Sequence, residues 1–255
     1  MAKHLALACL FAASIMAQQA EKRGPRFEVA SVKQDLSMSG ESSTSMDPGR
    51  ITMRNVSLTQ CIEFAFRVND YSLLGPTWLD EARIDIDAKL PEGAQYDDIR
   101  SMLQALLAER FNLRTHRASQ LQAGYTLTVG KNGPKVKASA DDQIHGISSG
   151  GRKLIGNKVS MVELADMLAR ELSSPVRDMT SLTGVFDVRL AWAPSGTPAP
   201  PLKAEASDWT ESKDLADLPS LAAAVQEQLG LVLRRAKVTN EVLVIDKIER
   251  VPTEN

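Results

Sequence analysis

Two cysteines in 255 residues cannot build a disulfide framework, and three histidines leave little room for a His-rich metal centre. Neither sign of charge dominates. Thirty Lys and Arg stand against 32 Asp and Glu, a formal net charge of -2, which argues against a dedicated nucleic-acid surface. Beyond the N-terminus no apolar run is long enough to span a bilayer. The serine-hydrolase elbow GxSxG, the zinc motif HExxH, CxxC, the phosphate loop and the dinucleotide fingerprint are all missing. No cofactor and no metal set is therefore expected. What remains is ordinary for a globular chain, 43% hydrophobic and 24% charged, enough for one large domain or two small ones.

The first residues read as a targeting segment. Lys3 and His4 precede LALACLFAASIMA at 5–17, an uncharged stretch of about 13 residues followed by small and polar ones. It is shorter than the roughly 20 residues of a membrane helix. A signal peptide over 1–20 is expected, with cleavage near Ala17 or Ala20. Cys9 sits inside it, and Ala6 stands where a lipoprotein signal has Leu, so lipidation is not expected. The product would be periplasmic or secreted, with no stable membrane span. Its only cysteine would be Cys61, beside the apolar face of a helix and expected to be a buried, inert thiol.

The chain then carries one plan twice. GRITMRN at 49–55 leads into VSLTQCIEFAF, and GRKLIGNK at 151–158 leads into VSMVELADML. Ser57 with Gln60 and Ser160 with Glu163 have capping-box spacing at helix starts. Leu58, Ile62, Ala65 and Phe66 share one helical face; Met161, Leu164, Ala165 and Leu168 share another. IDIDA at 84–88 and FDVRL at 186–190 alternate as half-buried strands do. They are offset by 102 residues, as are Gly49 and Gly151. A second helix follows in each half, with Ile99, Met102, Leu103, Leu106 and Leu107 inward in the first and Ser220 as N-cap of the second. ERFNLRTHRA at 109–118 parallels EQLGLVLRRA at 227–236, and YTLTV at 125–129 parallels LVIDK at 243–247.

The expected fold class is α+β: duplicated strand-helix-strand-helix-strand-strand units, with helices packed on antiparallel or mixed sheet. The first unit would cover 26–137 with a leading strand FEVASVK, Phe27, Val29 and Ser31 inward. The second would cover 151–250, with an irregular proline-rich insertion at 194–219. DLSMSGESSTSMDPG and the glycine-rich GISSGGRK read as loop and joint.

Two residue sets are candidates for function. Tyr71, Trp78 and Arg83 flank the Gly75-Pro76 turn, and an aromatic there either lines a ligand groove or plugs the core. Asp85 and Asp87 project from one side of a strand about 6–7 Å apart, a spacing that suits a cation or paired carboxylates. With His116 they form the alternative polar site. His116 and His145 with Asp141 or Asp142 would be a conceivable metal set, although nothing in the sequence brings them together. The leading expectation is an exported, non-enzymatic binding or protein-interaction protein whose partner is another envelope or extracellular protein, not nucleic acid. The runner-up is an extracellular or periplasmic hydrolase using Asp85, Asp87 and His116.

FEVASVK, ITMRNVSLTQCIEFAF, LLGPTWLDEARIDIDAKLP, MLQALLAERFNLRTHR and YTLTVGKNGPKVKAS resemble a large exported, soil-associated family of acidobacteria built around a domain of unknown function. DMTSLTGVFDVRLAWAP, PSLAAAVQEQLGLVLRRAKV and VLVIDKIERVPTEN extend the likeness over about 26–255. Such domains also occur attached to membrane sensor-proteases of the BlaR type, which implies a periplasmic or extracellular role; the resemblance implies no reaction, ligand or catalytic residue. Residues 51–90 are also similar to the short N-terminal domains of secretins and TonB-linked receptors, which implies protein contacts.

Overall fold

The computed structural model describes residues 25–36, 40–140, 144–150, 152–193 and 218–253. The expected signal segment at 1–20, with Cys9, lies outside the described residues, as do Asp141, Asp142 and 194–217 of the insertion. The fold is a mixed α+β fold. It divides into two compact units, Met1–Ala118 with Glu241–Asn255, and Ser119–Asn240. This division differs from consecutive halves at 26–137 and 151–250, because each of two long strands gives one end to either unit.

The first unit contains β1 (Val29–Gln34), β2 (Ser43–Asp47), β3 (Arg50–Ser57), α1 (Leu58–Phe66), β4 (Leu73–Leu74), β5 (Arg83–Lys89) and α2 (Tyr96–Arg110). It also holds the first residues of β6 (Arg114–Val129) and the last of β12 (Leu231–Lys247). Its four-stranded antiparallel sheet has the order β1-β5-β3-β2. Alternation decides which face is covered. Ile51, Met53, Ile84 and Ile86 point inward and bury against Leu58, Ile62, Leu103 and Leu107 of the two helices. β1 joins by pairing Val32 with Ile86 and Ala30 with Ala88. That register turns Val29 outward, 64% exposed, and buries Val32, so Val29 and Ser31, expected inward, are corrected by one residue, while Phe27, ahead of the strand, packs against the core. Both oxygen partners of the α1 capping box are in place: Gln60 N–H donates to Ser57 Oγ and Ser57 N–H to Gln60 Oε1.

The second unit contains β7 (Lys137–Ala138), β8 (Gly146–Gly150), β9 (Lys153–Val159), α3 (Met161–Leu172), β10 (Val176–Asp178), β11 (Phe186–Ala191) and α4 (Leu221–Leu229), with the remainder of β6 and β12. Its four-stranded antiparallel sheet has the order β7-β11-β9-β8. Leu154, Val159, Val188 and Leu190 bury against Met161, Leu164, Leu168, Ala224 and Val225. Ser160 and Glu163 form the second capping box, and Ser220 caps α4 through Ala223 N–H.

The sequence divides LRTHRA from YTLTV, yet they form one 16-residue strand, β6. Ala123-Gly124 between them is not a turn. A Cβ on Gly124 would stand 2.4 Å from the Pro175 carbonyl oxygen, so glycine serves a close backbone approach within the strand. In the same way LVLRRAKV and LVIDK merge into the 17-residue β12. Within the second unit these strands run antiparallel, with Gly130 N–H bonded to the Gly230 carbonyl and Asn240 meeting Gln122. β2 and β8 lie where a loop and a joint are expected. Their Ser-, Thr- and Gly-rich sequences carry little apolar alternation because each occupies the outer edge of its sheet.

Candidate functional site

β5 presents Asp85 and Asp87 on the open face of the first sheet, as alternation requires. Both are engaged by arginines. Arg54 lies 3.6 Å from each carboxylate, and Arg50 lies 3.2 Å from Asp87. Asp85 does more than pair. β3 bulges between Met53 and Val56, where Asn55 adopts φ 47, and the Asn55 backbone N–H donates to Asp85 Oδ1 at 2.9 Å. The carboxylate thereby satisfies a backbone group that the bulge removes from the ladder. The second unit repeats the device. Lys158, at φ 54, donates its N–H to Ser139 Oγ at 3.2 Å and to Asp187 Oδ1 at 3.4 Å, and the Ser139 hydroxyl donates in turn to Asp187. Asp85 and Asp187 are thus bulge-capping residues.

His116 has a different partner. It sits in β6 with Nδ1 2.9 Å from an oxygen of Asp246 in β12, both half-exposed. The neighbouring Arg117 pairs with Glu241. His145 lies 2.9 Å from Glu163 of the second capping box. The Ser160 backbone N–H, ahead of its hydroxyl and of His145, holds the Glu163 carboxyl below the ordinary glutamate range. Among the described residues no group of three or more His, Cys, Asp or Glu is arranged to hold a metal ion.

Tyr71, Trp78 and Arg83 also go separate ways. The Tyr71 hydroxyl accepts from Asn69 Nδ2 at 2.8 Å. Trp78, in the short 3-10 turn Thr77–Leu79, packs against the core, and Arg250 covers its ring at 5.8 Å while pairing with Glu81 at 3.2 Å. Gly75 lets the turn pack closely, since a Cβ there would meet Ile245 Cδ1 at 2.8 Å and Leu79 Cδ1 at 2.9 Å. Arg83 reaches Ser42 Oγ and the Asn55 carbonyl, both at 3.3 Å. Cys61 is fully buried, and that burial pushes its thiol up to about 12. A cavity of about 320 Å³ lies between the segment entering β1 and α2, crossed by the Arg26–Glu109 pair; none of the residues expected at a site lines it.

A model for a protein family of unknown function, DUF3738, matches residues 59–248. The chain belongs to this family. The matched span runs from the first turn of α1 to just past the end of β12, so the DUF3738 region includes all of the second unit. No curated protein and no solved structure matches the chain.

Three features escape a reading of the sequence. Glu63 of α1 is half-buried and is pushed up to about 7, by burial first and then by the charges of Asp70 and Asp80. Asp246 is the partner of His116, 130 residues away in sequence. The third is the edge strand β8 with the cations beside it. The signal for it lies in the repeat offset: 102 residues after Asp87 stands Arg189, a reversal of charge on otherwise similar strands.

Proposed function

We propose that this DUF3738 protein is an exported, non-enzymatic binding or protein-interaction protein, built from a duplicated α+β unit that offers sheet edges to its partners. One observation carries the reading. The orders β1-β5-β3-β2 and β7-β11-β9-β8 are the same topology, and each ends in an outer strand, β2 or β8, that pairs on one side only among the described residues. A strand in that position presents unpaired N–H and C=O groups, the usual template for strand addition. The matching bulge caps Asp85 and Asp187 and the two capping boxes support duplication. The apolar stretch at 5–17 and the likeness to exported soil-associated proteins support a periplasmic or secreted location. No helix among the described residues is long and apolar enough to cross a membrane. The partner is another envelope or extracellular protein.

Asp85 and Asp87, held by Arg54, Arg50 and Asn55, act in this reading as structural groups, and His116 with Asp246 as a surface pair. The test has two arms. The chain, crosslinked in an envelope extract, captures a defined protein through residues of its sheets. A broad ester, peptide and glycoside screen of the same preparation shows no turnover. A hydrolytic activity abolished by His116→Ala or Asp87→Asn would overturn the proposal in favour of the hydrolase.

A further inference from the structure

We propose that β8 in the second unit is a strand-addition site for an extended polypeptide whose residues alternate between carboxylate and apolar side chains. The inference deepens the interaction reading and rests on it.

β8 reads GISSG and pairs with β9 from Gly146↔Asn157 to Gly150↔Lys153. No described strand pairs with its other edge. Solvent-facing edges are commonly guarded by charge, proline or a bulge, and β8 has none of these. The corresponding edge strand of the first unit, β2, ends in Asp47.

The two faces next to this edge differ in chemistry. Opposed residues of an antiparallel pair point to the same side. On the open face, Ser148 is opposite Ile155, which is opposite Arg189, and Gly150 is opposite Lys153. Lys153 and Arg189 are exposed, and neither forms an ion pair with a described residue. In the first unit, by contrast, Arg50 and Arg54 are bridged by Asp85 and Asp87. Over the whole of Ser119–Asn240 the charges nearly balance, 14 Lys and Arg against 13 Asp and Glu, so the positive character is local to this face. The complement at this edge is therefore acidic.

Space allows the approach. A Cβ on Gly146 or Gly150 would meet nothing within 4 Å, so Lys153 can reach across Gly150 toward a strand laid outside β8. That strand would lie about 9–10 Å from β9, two sheet spacings away and within reach of a lysine meeting a glutamate. On the other face, Ile147 is opposite the buried Gly156 and remains 40% exposed at the rim of the core. An apolar residue opposite Ile147 would extend that core, while its neighbours on the added strand turn their carboxylates to Lys153; Arg189 on β11, three sheet spacings or about 14 Å away, adds longer-range attraction. Period-two alternation of acid and apolar residues follows from the pleat.

The test uses the full chain and a fluorescent eight-residue peptide of alternating Glu and Val, read by anisotropy at low salt. Saturable binding is expected. It should weaken at least tenfold when alternate peptide amides are N-methylated, when Lys replaces Glu, and in the double variant Lys153→Glu, Arg189→Glu. Ser148→Glu, which sets a like charge against the peptide carboxylates on the open face and leaves the core untouched, should weaken it to a similar extent, with folding confirmed by circular dichroism. Equal binding of the N-methylated peptide, or N-methylation-insensitive competition by a single-stranded oligonucleotide of the same charge, would show simple attraction to polyanions and overturn strand addition. Absence of peptide binding would also overturn it. If the chain still captured an envelope protein through other residues, the interaction reading would stand without this site.

Discussion

Replacing Asp85 with alanine should cost the first unit far more stability than replacing Asp87, although both carboxylates share a strand face and an arginine. Asp87 contributes ion pairs with Arg50 and Arg54, whose side chains are 54% and 48% exposed. Pairs in such solvent are worth about 0–1 kcal/mol. Asp85 instead accepts the Asn55 N–H at 2.9 Å and holds a left-handed residue in the bulge. A hydrogen bond to a charged acceptor is worth about 1.5–3 kcal/mol, and the left-handed cost at Asn55 is already carried by the parent. Asp85→Ala is thus expected to lose about 1.5–3 kcal/mol, against about 0.5 kcal/mol for Asp87→Ala. Urea unfolding read through Trp78 in a Trp192→Phe, Trp209→Phe background isolates the first unit, with the slope m checked for unchanged cooperativity. Asp187→Ala should act in the same sense but more weakly on the second unit, because its bond from Lys158 is longer, 3.4 Å, and the same N–H keeps Ser139 Oγ at 3.2 Å. Equal losses at Asp85 and Asp87, or none at Asp85, would refute the bulge-cap argument.

Four further outcomes follow from the same geometry. Ser57→Ala and Ser160→Ala each remove a capping box and should cost about 1 kcal/mol in the unit that carries them, measured by chemical unfolding. Glu63 keeps its proton up to about pH 7, against 4.5 for an ordinary glutamate, so the folded state binds more protons across that window and stability falls as pH rises through it. Glu63→Gln should remove this loss and gain on the order of 1 kcal/mol over the parent by pH 8, after discounting for solvent screening; parallel stability curves from pH 4 to 8 would contradict this. Gly75→Ala must displace Ile245 Cδ1, a movable side-chain end 2.8 Å away, and should cost about 1–3 kcal/mol in a thermal melt. Cys61 should be unreactive toward a chromogenic disulfide reagent in the native chain and titrate fully in denaturant, since it is buried and its thiol holds its proton to about 12.

Much of the fold is legible wherever local pattern and packing agree. The buried faces of α1, α2 and α3 follow their periodicity, and Ser57, Ser160 and Ser220 mark the helix starts where they are expected. β5 and β11 read as alternating strands because one face is covered by helices. Pattern is weak where one side of an element has no core. β2 and β8 are built of Ser, Thr and Gly, so nothing distinguishes them from loops until their partners β3 and β9 are in place. β6 conceals its length for another reason: Gly124 resembles a turn residue, while the reason for glycine is Pro175, 51 positions later. The candidate site residues depend on partners that are distant in sequence. Alternation places Asp85 and Asp87 on one face, but their partners Arg50 and Arg54 come from a strand set by register. His116 likewise finds Asp246 only through the pairing of distant strands.

Whether β8 receives a partner strand is read most directly by amide hydrogen exchange across the full chain. With the alternating Glu-Val peptide at saturation, the amides of 146–150 should exchange at least tenfold more slowly while those of β2 are unchanged. Unaltered exchange at 146–150 under conditions where the peptide is bound would contradict it.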